Sequence, residues 1–147
     1  MQLDPTDIRI LKILKKNADL TNKEIACMLG MSTTPVFERI KKLKQNKSIK
    51  KIIAVVDPKT LGKELSVICN ISLKEHARPY LELFEKQIKA LEEVSLCYHI
   101  AGQFDYLLHI HIEDMDAYQR FITQKLADLE NIAHVQSSFI MKKIITE

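Results

Sequence analysis

The segment YHIAGQFDY, residues 98 to 106, gathers groups suited to holding a small molecule. Gly102 lets a backbone approach a ligand closely. Gln103 and Asp105 bring an amide and a carboxylate, with Tyr98 nearby. The same residues also suit a plain hairpin, because a glycine between two alternating runs supplies the backbone conformation a tight turn needs. On the residues alone both readings stay open. The chain has only three glycines, and Gly30 and Gly62 likewise fall where one apolar segment stops and the next begins.

Other reactive residues lead less far. His109 and His111 stand at i and i+2, which places them on one face of a strand, and His99 lies close in sequence. No carboxylate or thiolate is fixed by spacing to complete a metal site, so packing or surface histidines are expected, with no metal. Cys27, Cys69 and Cys97 are odd in number, widely spaced and without a CxxC, which argues against a disulfide framework or a thiolate zinc site. There is no nucleophile elbow, phosphate-binding glycine loop or HExxH. No enzyme activity and no cofactor are expected.

A second constellation lies in TTPVFERIKKLKQ. At about 100° per residue, Thr34, Glu38, Lys41 and Gln45 share one side of a helix, flanked by Phe37 and Lys42, while Val36, Ile40 and Leu43 form the opposite arc. Hydroxyl, amide and ammonium groups suit base edges and phosphates, and a helix N-terminus can itself approach a phosphate. Arg39 lies nearer the apolar arc, where a phosphate contact and an ion pair with the first helix are both open to it.

The elements that must position these groups follow from pattern. Asp4 and Pro5 start a first helix that carries Ile8, Leu11 and Leu14. Thr21 and Glu24 have capping-box spacing for a short second helix ending at Gly30. Ser32 caps a third, from about Thr33 to Gln45, with Pro35 tolerated in its first turn. A short helix, a glycine turn and a longer helix describe a helix-turn-helix. Charge agrees: residues 1 to 57 hold 12 Lys and Arg against 6 Asp and Glu, a balance of +6, and residues 58 to 147 hold 10 against 13, or −3. A basic module for an anionic partner is thus joined to an acidic one. SIKKIIAVVD, which follows, reads as a wing or connecting strand.

From Leu65 the pattern becomes β-α-β-β-α-β. The strands are LSVICNISL, VSLCYHIA, DYLLHIHI and HVQSSFIMKKIIT; the helices are RPYLELFEKQIKAL, with Leu81, Phe84, Ile88 and Leu91 inward, and DMDAYQRFITQKLADL, with Tyr118, Phe121, Ile122 and Leu126 inward. This is an α+β chain whose second part is ferredoxin-like, an antiparallel sheet with both helices on one face. Its apolar runs are too short for a membrane span and no signal-peptide pattern opens it, so a cytoplasmic protein is expected.

The stretches LDPTDIRILKILKKNADLTNKEIACMLGMSTTPVFERIKKL, VVDPKTLG and CYHIAGQFDYLLHIHIEDMDAYQRFI strongly resemble the Lrp/AsnC family of transcriptional regulators, also called feast/famine regulators, in order and over nearly the whole chain. The resemblance implies a winged helix-turn-helix at 1–50, a strand-bearing linker at 51–62 and a ferredoxin-like effector-binding and oligomerisation domain at 63–147. It implies dimers assembling into tetramers, octamers or larger, bound to double-stranded DNA and modulated by a small effector, commonly an amino acid. Ser32, Thr33, Thr34, Phe37, Glu38, Arg39, Lys41, Lys42 and Gln45 would then form the DNA-reading surface. Tyr98, Ala101, Gly102, Gln103, Phe104 and Asp105 would line the effector pocket, closed by Gln136, Ser137 and Ser138 of a neighbouring subunit. The alternative is an architectural DNA binder without an effector. Where the family usually has Gly-Val-Ile after the reading helix, this chain has Lys47, Ser48 and Ile49, and Asn46 is expected to take the left-handed conformation that ends it.

Overall fold

The computed structural model describes residues 3–144. They form two compact units, residues 3–55 and 56–144.

The first unit holds α1 (Pro5–Lys16), α2 (Asn22–Leu29) and α3 (Thr33–Gln45). Two capping boxes start the first two helices. Asp7 N–H donates to Asp4 Oδ1 at 2.8 Å, and Thr21 N–H donates to Glu24 Oε2 at 2.8 Å while Glu24 N–H returns to Thr21 Oγ1 at 3.3 Å. Each box satisfies amides that the first turn leaves unpaired. Gly30, at φ 68°, ends α2. Ser32 occupies the N-cap of α3 without a side-chain cap hydrogen bond. The core comprises Ile10, Ile25, Ala26, Leu29, Val36, Ile40 and Leu43. Ile10 is the fully buried residue of α1, whereas Ile8 is exposed and Leu11 and Leu14 are half-buried. The inward stripe is therefore rotated from the spacing first picked out.

Asn46 does not take the left-handed conformation; its φ is −83°, and Lys47 takes it instead at φ 61°. Moving the reversal one residue on lets Ile49 N–H donate to the Leu43 carbonyl at 2.9 Å and Lys47 N–H to Lys44 at 3.2 Å. The expected strand in residues 48–57 is also absent from the described structure, where residues 50–57 belong to no regular element. The apolar side chains of residues 50–57 remain exposed, Val55 at 86%. A strand needs a neighbour for its amides and carbonyls, and none of the four strands pairs with this segment.

A 3-10 turn at Pro58–Leu61 leads into the second unit: β1 (Leu65–Leu73), α4 (Arg78–Ile88), β2 (Val94–His99), β3 (Tyr106–Ile112), α5 (Met115–Arg120) and β4 (Ile132–Phe139). A π-helical segment, Phe121–Leu126, continues α5, with Ala127 N–H bonding the Ile122 carbonyl at 3.0 Å. The sheet is antiparallel, in the order β2-β3-β1-β4. Val67, Cys69, Ile71 and Leu73 of β1 and Tyr106, Leu108, Ile110 and Ile112 of β3 pack with Phe84 and Ile88 of α4 and with Ala117, Phe121 and Leu126. Full burial of each large apolar side chain contributes about 1.5–3 kcal/mol. Strand alternation sends Ser66, Ile68, Asn70, Leu107, His109, His111, Gln136 and Ser138 to the other face, which no helix of this unit covers. β4 begins and ends earlier than expected, and the last residues assigned to it from sequence, beyond 144, lie outside the described part.

Candidate DNA-reading helix and effector site

The wheel drawn from sequence for α3 holds. Val36, Ile40 and Leu43 are buried, and Ser32, Thr33, Thr34, Phe37, Glu38, Lys41, Lys42 and Gln45 are exposed. Phe37 keeps 48% of its surface open despite its apolar ring. Arg39 is different. Its Nη1 donates to Asp7 Oδ1 at 2.7 Å and also to Asp4 Oδ2. The hydrogen bonds it donates to Asp7 and Asp4 raise the guanidinium pKa, and those donated by the Asp7 amide and by Arg39 hold the Asp4 carboxyl below its usual range. Of its two open roles, Arg39 takes the ion pair with the first helix. It braces α3 against α1 from the side opposite Thr34 and Lys41.

The hairpin is longer than a two-residue turn. His99 of β2 pairs with Tyr106 of β3, leaving residues 100–105 as the connection, closed by Ile100 N–H to the Asp105 carbonyl at 2.8 Å. Gly102 sits at φ 152°, a value that side-chain-bearing residues rarely adopt. Ala101, Gly102 and Gln103 are exposed and Phe104 is half-buried, its ring stacked on His134 at 6.4 Å. Asp105 is already engaged: its Oδ2 accepts from Leu73 N–H at 2.7 Å, and its Oδ1 lies 3.0 Å from His76 Nε2. Burial pushes the Asp105 carboxyl up, but the Leu73 amide and His76 outweigh it and hold the pKa below the ordinary carboxylate value. This carboxylate clasps the hairpin to the end of β1. His76 carried no signal in sequence, since 29 positions separate it from Asp105.

The other candidates divide between two faces. Tyr98 pairs with Leu107, Leu107 with Asn70 and Asn70 with Gln136, so these residues form one row across the uncovered face. Tyr98 and Gln136 stand on opposite edge strands, three strand spacings or roughly 14 Å apart. Ser138 shares the uncovered face through its pairing with Ile68. Ser137 turns to the helix side, where Tyr118 OH donates to its Oγ and Cys69 Sγ lies 3.4 Å away. On the helix side of the hairpin, His99 stacks on Tyr106 at 4.6 Å, and Tyr106 OH donates to Glu85 Oε1 at 3.2 Å. Burial and the Glu85 carboxylate push the Tyr106 pKa up to about 12. A cavity of about 180 Å³ is lined by Glu85, Ile88, Lys89, Cys97, His99 and Tyr106. Another of about 190 Å³ lies beside α5. Residues 100–105 line neither of these two cavities.

Among the described residues, no three His, Cys, Asp or Glu side chains are placed to hold a metal ion, and no helix is long and apolar enough to cross a membrane.

Comparison with known proteins agrees with this division. The family model described as Lrp/AsnC ligand binding domain matches residues 66–147, and one described as winged helix-turn-helix DNA-binding matches residues 3–50. The chain is 31% identical over 144 residues to the Bkd operon transcriptional regulator of Pseudomonas aeruginosa, covering 98% of this chain and 94% of that one. It is 31% identical over 142 residues to the leucine-responsive regulatory protein of Escherichia coli, covering 97% and 87%. A transcriptional regulator of Neisseria meningitidis, solved in complex with L-Met, superposes with a TM-score of 0.93 at 30% identity, covering 99% of this chain and 94% of that one.

Proposed function

Because the chain belongs to the Lrp/AsnC family of DNA-binding transcriptional regulators, with that family's ligand-binding domain, we propose that it acts as a homo-oligomer that reads duplex DNA through α3 and responds to an amino acid held between subunits. The observation that carries the DNA reading is the exposure of Ser32, Thr33, Thr34, Phe37, Glu38, Lys41, Lys42 and Gln45 over a buried apolar arc. In a dimer, two copies of α3 would enter successive major grooves, with lysines on phosphates and the polar side chains on base edges.

The amino-acid reading draws on the relative crystallised with L-Met. Placement between subunits is supported by the roughly 14 Å between Tyr98 and Gln136 within one sheet: a small ligand touching both of these side chains would take them from different copies. Tyr98, Ala101, Gly102, Gln103 and Phe104 would come from one subunit and Gln136 and Ser138 from another, with Asp105 holding the hairpin in shape. The uncovered sheet face and the exposed linker would supply contacts between copies, in dimers and larger assemblies. An effector that binds one assembly better than another would shift their balance and so change DNA occupancy.

A thermal-shift screen against the twenty amino acids tests this, since a ligand that binds only the folded state raises the melting temperature. The expected result is a selective shift that is lost in both Tyr98→Ala and Gln136→Ala. No shift at millimolar concentration would favour an architectural DNA binder without an effector. Loss of DNA binding in the Lys41→Ala, Lys42→Ala double variant with its fold retained tests α3 separately; unchanged binding would remove the assignment.

A further inference from the structure

The reading helix carries one carboxylate, and its position is chemically selective. Glu38 is exposed and, among the described residues, forms no ion pair. Lys41 and Lys42 stand three and four positions further on, the spacings at which helical ion pairs close, yet neither pairs with it. At about 100° per residue Glu38 lies within about 60° of Thr34, Lys41 and Gln45, on the side opposite Val36, Ile40 and Leu43. With α3 in a major groove, this carboxylate faces the floor of the groove.

Few groups there welcome it. Phosphate oxygens repel it. Guanine presents N7 and O6, and thymine O4, all acceptors that a carboxylate cannot bond. Adenine offers its N6 amino group beside the N7 acceptor, so attraction and repulsion come together. Cytosine presents the N4 amino donor with no acceptor of its own beside it.

We propose that Glu38 specifies a cytosine in each half-site by accepting a hydrogen bond from its N4 amino group, and rejects guanine and thymine there. This rests on α3 being the reading helix. The carboxylate also lowers affinity for DNA of unrelated sequence, because wherever no donor faces it, it opposes the attraction of Lys41 and Lys42. Glu38 thus contributes discrimination at some cost in general affinity.

The test enriches bound duplexes from a randomised library with the full-length protein and with Glu38→Gln and Glu38→Ala, followed by titrations on single sites. The wild-type half-site is expected to contain a position dominated by cytosine. Glu38→Gln should move that position toward adenine, whose N6 and N7 suit an amide, and Glu38→Ala should make it indifferent. Changing the cytosine to thymine should weaken wild-type binding by about 5-fold or more and the alanine variant little. Both variants should bind unrelated DNA more tightly than wild type, which a merely structural residue would not produce. An enriched motif identical in all three proteins, or a changed position that is not cytosine in the wild type, overturns the assignment while leaving α3 as the reading helix. Failure of the folded wild-type protein to enrich any sequence overturns the α3 reading, and the role of Glu38 with it.

Discussion

Arg39 Nη1 lies 2.7 Å from Asp7 Oδ1 and so ties α3 to α1 through a side chain directed away from Thr34 and Lys41. A basic residue on the helix proposed to read DNA invites a phosphate contact, but this one is committed to two carboxylates. Arg39 and Lys41 should therefore respond differently to truncation. Lys41→Ala is expected to reduce the slope of log affinity against log salt by about one unit, the signature of one lost phosphate contact. Arg39→Ala should leave that slope unchanged and instead lower the melting temperature of the first unit, because Asp4 and Asp7 then face each other without a cation. DNA titrations across a salt series, with thermal melts of both variants, separate the two. An equal fall in slope for Arg39→Ala would place its guanidinium on DNA.

Asp105 is the second residue whose role differs from its type. Asp105→Ala strands the buried Leu73 amide and is expected to destabilise the ligand-binding unit by about 1–3 kcal/mol. Asp105→Asn keeps an acceptor for that amide and should cost less. The pH dependence follows from the lowered native pKa. As pH falls, the unfolded carboxylate, near the ordinary value of about 3.9, takes up its proton before the native one. The stabilisation is thus present above about pH 4 and lost as pH falls through the native value. Denaturation between neutral and acid pH should show a shallower acid decline for Asp105→Asn than for wild type; parallel declines would contradict the clasp.

How much of this was legible in sequence depended on the range of the interaction. Strand β1 was readable from Leu65 to Leu73 because alternation is a local signal, and so was α3, where the buried arc, the first-turn proline and the end at Gln45 all lie within one helix. The hairpin was legible as a turn at Gly102, but its length was not, since register is set by pairing with Tyr106. The clasp from Asp105 to Leu73 and His76 and the turning of Ser137 toward Tyr118 join residues from different elements, which no local spacing encodes. Residues 48–57 were misread because β-rich composition marks a capacity to pair and does not supply the partner.

His109 and His111 give a second pH effect, of separate origin. Their rings lie 4.3 Å apart on the uncovered sheet face, with His109 Nε2 2.7 Å from Ser66 Oγ. Burial lowers both pKa values; Lys143 adds to this at His109, and His109, Lys63 and Lys143 add to it at His111. A histidine whose native pKa is depressed binds its proton more readily when unfolded. Stability is therefore full above the ordinary value near 6.5 and is lost as pH falls below it toward the native values. The melting temperature of wild type should drop between about pH 7 and pH 5, and the His109→Gln, His111→Gln double variant should flatten that drop. A double variant that retains the full decline would assign the effect to other groups.

Lys47 offers a test in the stabilising direction. It holds φ 61° at the end of α3, in a chain where Gly30 and Gly62 take the comparable left-handed positions after their helices. The left-handed conformation costs a side-chain-bearing residue about 1–2 kcal/mol, and glycine avoids that cost while losing some of the gain to its freer unfolded chain. Lys47→Gly is therefore expected to stabilise the first unit by about 0.5–1 kcal/mol. Lys47→Ala keeps a Cβ in the same conformation and should gain little. Native-state hydrogen exchange at the Ile40 and Leu43 amides reads this helix directly, with slower exchange expected in the glycine variant alone. If the lysine also meets a phosphate, both variants should lose DNA affinity equally, because both lose the same charge. Stability then divides the two substitutions and affinity does not. Equal exchange in the two variants would mean that the left-handed residue carries no strain that glycine can relieve.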